Sequence, residues 1–564
     1  MPPPLVDPRI GISWEQFEYQ RILEFLRSQP EPQTCDPPEI ISTNTENAAR
    51  HKDHIAQLLS YPELSTQPSL LAELAEATWK RKVLLWRTFP FDSLPAEIIV
   101  NIFRYAIWST PSSFEGVLLR FRLTWVCQSW RHIVVNDQTL WNTIWFKDSK
   151  IGYSRSKLFF ERAGTATLDL RIEDDDKTRV NPDQPMTGEA MHHIMDIITT
   201  KASQLRMLIV VVEMWPPVLV LLDRLHRSSK SLRQLERVEI HRTGRPYRWD
   251  GPDYPLSDYH HALTLCNGHT SEVTSLCLNG LHLNWDKCLL ANLTVLDLRR
   301  MPPDLGPSLN RFREILKSSP GLKKLSLDGA GPVLPTRVAR RPLPPVFLPR
   351  LESFILGDMP IAYAVFCAGI IHAPSVRELT LLNLGGDDHA PLLKALTEKF
   401  PELLILALYC LDVATTPQNA RIVARWLLSM PKVKFLRVAG MATHMFSPFF
   451  ADGRFHARDD IPLVPSPEER AAIEATGPRI ILFPNLEAIE VQHINTDVVI
   501  KFVRGRLEYG VPLKRLYIHC QWLQKMTDED KKIFRIFGPN FVIVTLPMTL
   551  TPDEELIWKQ VRGL

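Results

Sequence analysis

The chain has 564 residues, of which 45% are hydrophobic and 23% charged, the balance of an ordinary globular protein with room for several domains or one long repeat array. A net charge of +3, with no basic block to track phosphates, argues against nucleic acid as the main partner. The 46 prolines against 24 glycines point to many short elements joined by rigid turns.

The N-terminus, Met1-Pro2-Pro3-Pro4, lacks the charged and apolar regions of a signal peptide. Residues 1–45 read as a flexible segment, with an amphipathic helix over Ser13 to Ser28 and a Pro-rich linker from Gln29 to Glu39. Residues 46–88 read as a helical lead-in. Its helix over Ser69 to Trp86 sets Leu70, Leu71, Leu74, Trp79, Val83 and Leu84 among charges.

Residues 89–146 are the most telling. Leu94-Pro95-Ala96-Glu97 opens a helix, because Pro tolerates the first turn and Glu favours the positive pole of the helix dipole. Ile98, Ile99, Ile102, Phe103 and Ala106 then recur at three- and four-residue spacing. Val126-Cys127-Gln128-Ser129-Trp130-Arg131 and Leu140-Trp141 close the segment. About 50 residues cannot bury all of this apolar surface internally, so part of it should face a partner. The pattern closely resembles the F-box, which docks substrate receptors on the Skp adaptor of cullin–RING ubiquitin ligases. One departure is the stretch Ser109 to Gly116, longer and more polar than the usual link between the first F-box helices; it is expected to loop out.

Next come a helix over Lys157 to Arg162 ended by Gly164, and a strand carrying Leu168 and Leu170. The order Leu-Trp, strand, helix ending Arg-x-Gly and x-Leu-x-Leu is similar to that of F-box proteins from basidiomycete fungi. The most hydrophobic stretch, Met207 to Leu222, is broken by Glu213 and Pro216-Pro217 and is shorter than the ~20 residues of a membrane span. A buried strand, a turn and a helix account for it, and no membrane is expected as a partner.

From there an apolar-x-x-apolar-x-apolar pattern repeats, as in a leucine-rich repeat. It begins at Leu205, Leu235, Val273, Leu293, Leu322, Leu351, Val376, Leu403, Val433, Leu486 and Leu513. Helical stretches at Arg311–Lys317, Pro391–Lys399 and Ala420–Leu428 lie between, each followed by a proline. The expected fold is therefore a helical F-box module followed, over 147–548, by a leucine-rich-repeat solenoid with a parallel concave sheet and helices outside. A doubly wound α/β sheet is the structural rival. The interval from Val433 to Leu486 reads as two coils carrying an irregular insertion at 440–480, in which Ser466 and Glu469 suggest a capping box. Residues 549–564 read as a tail.

Catalytic and metal signatures are absent: no zinc-protease helix motif, phosphate loop or nucleophile elbow. No C-x-x-C pair exists, and the eight scattered cysteines suit a reducing compartment. His192-His193 and His260-His261 read as surface pairs, and Glu173 to Asp176 as a solvated loop. Neither metal nor cofactor is expected, and the chain is expected not to be an enzyme.

The resemblance implies a substrate receptor in the cytoplasm and/or nucleus. Its F-box would hold a Skp-type adaptor, and through it a cullin–RING ligase, while the repeats hold a protein substrate. The positions matching the family motif are Leu94, Pro95, Ile98, Ile99, Ile102, Phe103, Val126, Cys127 and Trp130. Phe103 and Trp130 could instead form the module's own core. Strand alternation places Ile355, Leu382, Ile405, Tyr409, Phe435, Arg437 and Tyr517 on the outward face as a substrate patch. If the insertion or the tail after Met548 folds across that face, the patch is internal instead. The alternative function is a binding scaffold with a degenerate F-box that never enters a ligase; an enzyme assembled from distant residues is a third reading.

Overall fold

The computed structural model describes residues 38–61, 68–88, 94–108, 113–147, 153–174, 185–244, 264–268, 270, 272–334, 343–450, 452–457, 461–463, 465–475, 477–519 and 542–546. The chain divides into two units, Met1–Val134 and Val135–Leu564.

The first unit is helical, with helices at Pro38–Leu59, Pro68–Thr88, Ala96–Trp108, Ser113–Val126 and Gln128–Asn136. The first two pack together, burying Ala48 and Leu58 on one and Ala77, Trp79 and Leu84 on the other. The first helix corrects the reading of the N-terminal region: it begins at Pro38, so the boundary at 45/46 cuts a continuous helix. The Ser13–Ser28 helix and most of the Pro-rich linker lie outside the described residues. The polar link before Gly116 is also shorter than its composition suggests. A helix starts at Ser113, and only 109–112 separate it, outside the described residues, from Trp108.

Among the described residues the second unit has sixteen strands: β1 (Thr143–Phe146), β2 (Leu168–Asp174), β3 (Leu205–Val212), β4 (Arg237–Arg242), β5 (Ser275–Asn279), β6 (Val295–Arg299), β7 (Lys324–Asp328), β8 (Val346–Phe347), β9 (Ser353–Gly357), β10 (Ile371–His372), β11 (Glu378–Leu382), β12 (Ile405–Tyr409), β13 (Phe435–Ala439), β14 (Ala488–Gln492), β15 (Arg515–His519) and β16 (Val542–Leu546). β8 and β10 pair with each other. The remaining fourteen form one parallel sheet whose order follows the sequence without reversal. From β6 to β13 successive sheet strands begin about 25 to 30 residues apart. A doubly wound sheet reverses its order at a switch point, and no reversal occurs. Right-handed crossovers that always step in one direction place every connection on the same face. β1 and β16 remain at opposite ends, so the sheet is open and not a barrel.

All eleven strands expected from the repeat are present, and β1, β2 and β16 extend the series. β1 lies within 89–146, so the solenoid starts before residue 147. β13 pairs directly with β14, and the interval from Val433 to Leu486 is therefore one coil with an insertion, not two. The insertion carries the capping box, Ser466 accepting from the Glu469 N–H and Glu469 reaching back to the Ser466 N–H. The apolar stretch after Met207 resolves into β3 and the helix Trp215–Arg227, with Pro216-Pro217 in its first turn, where no N–H is needed.

The core lies under the repeat apolars. Leu296, Leu298, Leu325, Leu327, Phe354 and Leu356 are all buried, and Phe312, Ile315 and Leu316 of the intervening helix Leu309–Lys317 are buried with them. Each coil then turns in the same way. The residue after the strand has a left-handed backbone at Gly280, Arg300, Gly329, Asp358, Asn383, Cys410 and Gly440. Its N–H donates to the last carbonyl of the next strand, as in Arg300 N to Asp328 O at 2.7 Å and Cys410 N to Ala439 O at 2.8 Å. Where glycine fills this position the turn is unstrained. At Gly329, with φ +59°, an added Cβ would meet only ordinary contacts, from Asp358 at 3.5 Å. Gly329→Ala should therefore cost about 1–2 kcal/mol through backbone strain alone, read as a lowered urea midpoint with an unchanged slope.

Candidate functional site

The helix Ala96–Trp108 starts on the Pro95 carbonyl, which accepts from the Ile98 and Ile99 N–H groups at 3.0 and 3.2 Å. Its apolar residues then divide into two stripes. Ile99, Phe103 and Ile107 are buried, and Phe103 packs on Trp130 of the helix Gln128–Asn136 with ring centres 4.7 Å apart. Ile98, Ile102 and Tyr105, at helical spacing, are 46%, 41% and 78% exposed. Trp125 and Val126, at the end of the next helix, are 71% and 59% exposed.

The nine motif positions therefore do different jobs. Pro95, Ile98, Ile102, Val126 and Cys127 face solvent, and Leu94 is half-buried. Ile99 is buried, so its expected place on the adaptor-facing surface is corrected: it is core, with Phe103. Trp130, partly buried, packs against that core. Tyr105 and Trp125 lie outside the family motif, although Tyr105 continues the 98/102 spacing. Loop hydrogen bonds hold the module's second corner, with Arg131 Nε donating to Thr124 O at 2.9 Å and the Trp130 N–H donating to Cys127 Sγ at 3.4 Å.

The outward sheet face is not the open substrate patch that strand alternation predicts, because Ile405, Phe435 and Tyr517 are buried. Register places Ile405 beside Phe435 and Phe435 beside Ala488, while Tyr517, on the next strand and paired with Glu490, packs its ring 5.9 Å from that of Phe435. These four form a closed hydrophobic cluster in which Phe435 and Tyr517 are 0% exposed and Ile405 2%. Arg437 is committed within the protein as well, its Nε donating to Glu490 Oε2 at 2.8 Å. Ile355, Leu382 and Tyr409 remain partly accessible. Strand alternation identifies the face correctly but says nothing about what closes it.

The earlier strands carry charges on the same face. Asp297 accepts two hydrogen bonds from Arg299, both at 2.7 Å, and lies 3.2 Å from Lys324 Nζ. Burial works to raise the Asp297 pKa, but these cations outweigh it and hold the carboxyl below its ordinary value. One strand along, burial and then the neighbouring Asp358 raise the Asp328 carboxyl. Asp328 Oδ1 and the Ser326 hydroxyl are buried without a hydrogen-bond partner among the described residues.

No group of three or more potential metal ligands occurs among the described residues, and no described helix is long and apolar enough to cross a membrane. Burial pushes the Cys266, Cys277 and Cys367 thiols up to about 12, which keeps them protonated and poorly nucleophilic at neutral pH. His193 stacks on Tyr153 and lies 3.4 Å from Lys157 Nζ, while His260-His261 falls outside the described residues. The acidic run is in part strand, not loop: Glu173 pairs with Arg171, and Asp174 accepts from the Met186 N–H.

Residues 91–147 match the family model described as F-box-like. None of the curated proteins matches the chain. Among solved structures, the leucine-rich repeat-containing protein LegL7 from Legionella pneumophila is similar at 15% identity, with 53% of this chain and 84% of that chain covered and a TM-score of 0.26. A protein from Bacteroides fragilis is similar at 12% identity, with 64% and 71% covered and a TM-score of 0.25.

Proposed function

We propose that this chain is the substrate-recognition subunit of a Skp–cullin–F-box ubiquitin ligase. It is a non-catalytic receptor, acting in the cytoplasm or nucleus, whose repeats hold a protein substrate. The observation that carries this reading is the exposed stripe Ile98, Ile102 and Tyr105, set over a separate Ile99–Phe103–Trp130 core within the F-box-like segment. A helix that exposes three large apolar side chains in register has the chemistry of a partner surface. Catalysis would be positional: holding a substrate lysine near a charged ubiquitin carrier raises its effective concentration. The free cysteines among the described residues suit a reducing compartment. The run from Trp141 through β1, the helix Ser154–Arg162 and Gly164 to β2 supports kinship with the F-box proteins of basidiomycete fungi.

The test is capture on an immobilised Skp-type adaptor. Each of the two isoleucines has about half its surface left to bury, about 1 kcal/mol apiece, and an aspartate in its place must also be desolvated. Ile98→Asp with Ile102→Asp should therefore weaken capture more than about tenfold, with an unchanged far-ultraviolet spectrum because both positions are exposed. Undiminished capture by the double variant would move the docking surface away from this stripe, whereas no capture by the parent chain leaves the non-ligase scaffold as the better reading.

A further inference from the structure

The insertion after β13 builds a pocket that the repeat alone does not have. A cavity of about 280 Å³ lies between the β12 loop, the first turns of the helix Pro417–Leu428, and the turn Thr443–Phe446 with the residues that follow it. Val413, Val423 and Met445, all buried, make its apolar wall with Ala420. Exposed hydroxyl residues Thr415, Thr416 and Ser447 stand at its open side. His444 is pinned there, its Nε2 lying 2.8 Å from Val413 O and 2.9 Å from Asp412 Oδ1, which leaves Nδ1 as the ring's remaining polar atom.

Size and polarity narrow the occupant. The volume falls just below the ~300–1,000 Å³ of typical small-molecule and cofactor sites. It is about twice the ~150 Å³ that admits a benzene ring. One large side chain fits these limits. The walls are apolar, with the polar groups confined to the mouth, where the occupant's backbone would leave for solvent. Met445 adds a polarizable sulfur suited to an aromatic ring.

We propose that this pocket receives one bulky apolar side chain, aromatic or leucine, from an extended segment of the substrate protein. This rests on the receptor reading above and assigns its recognition to the insertion and not to the outward sheet face. Saturation-transfer NMR on the full chain tests it, with N-acetyl-L-tryptophanamide and N-acetyl-L-leucinamide as probes and N-acetyl-L-alaninamide and N-acetyl-L-lysinamide as references. The large apolar probes should show at least threefold more transfer than the references. Ala420→Phe fills the cavity from its wall and should remove that excess; Ser447→Trp, at an exposed position on the mouth, does so without touching the core. Equal transfer from all four probes, or an excess retained in both variants, overturns the proposal. The Ile98→Asp, Ile102→Asp variant should keep the full signal, so failure of adaptor docking and failure of this pocket are read separately.

Discussion

Phe435→Ala should destabilise the solenoid by about 3–5 kcal/mol, the usual cost of truncating a fully buried phenylalanine. Its ring lies 5.9 Å from that of Tyr517 and closes a cluster with Ile405 and Ala488. In a repeat array each coil leans mainly on its neighbours, so the damage should stay local. Hydrogen exchange is the suitable measurement, with the amides of β12, β13, β14 and β15 losing protection while those of β3 to β6 keep theirs. Tyr409→Ala, at a partly exposed position next to Leu408 of the core row, should cost much less. Unchanged protection in the Phe435 variant, together with loss of a bound partner, would restore the outward face as the substrate site.

The contrast shows what this sequence makes legible. The inward residues of each strand recur at a fixed separation of two and are buried by the coil's own helix or loop, so local spacing is enough to locate eleven strands. The outward residues obey the same alternation, but their exposure depends on groups remote in sequence. Ile405, Phe435 and Tyr517 look like a surface patch for that reason alone. The coil-ending turns were hidden for a different reason. The left-handed position is filled by Gly, Arg, Asp, Asn and Cys in different coils, so backbone geometry repeats where residue identity does not. In the F-box-like module, Ile98, Ile99, Ile102 and Phe103 form one apolar run to the eye. Only knowing which side Trp130 packs on separates the core stripe from the exposed one and brings in Tyr105. The insertion's capping box is local and could be read directly. Its pocket depends on contact with the helix Pro417–Leu428 and could not.

Asp297→Asn should cost about 2–4 kcal/mol at neutral pH, while Asp328→Asn, one strand away, should stabilise the protein. Removing one partner of a buried ion pair typically costs about 3–5 kcal/mol because the other charge is left uncompensated. Arg299 and Lys324 keep over a third of their side chains in water, which moderates that figure. The pH dependence separates the two carboxylates. The folded-state pKa of Asp297 is depressed, so its contribution is present above the unfolded value of ~3.9 and is lost as pH falls through the folded value. The parent's advantage over the Asp297 variant should be widest near pH 7 and close below about pH 4. The Asp328 pKa is raised by burial and by Asp358, so its stabilising contribution is present below ~3.9 and is lost as pH rises. The Asp328 variant should therefore outlast the parent at pH 7 and match it near pH 3. Urea denaturation of the three proteins across this range measures both trends. Curves that run parallel at every pH would show that neither carboxylate is coupled to folding, and that the charged ladder on this face is a solvated surface.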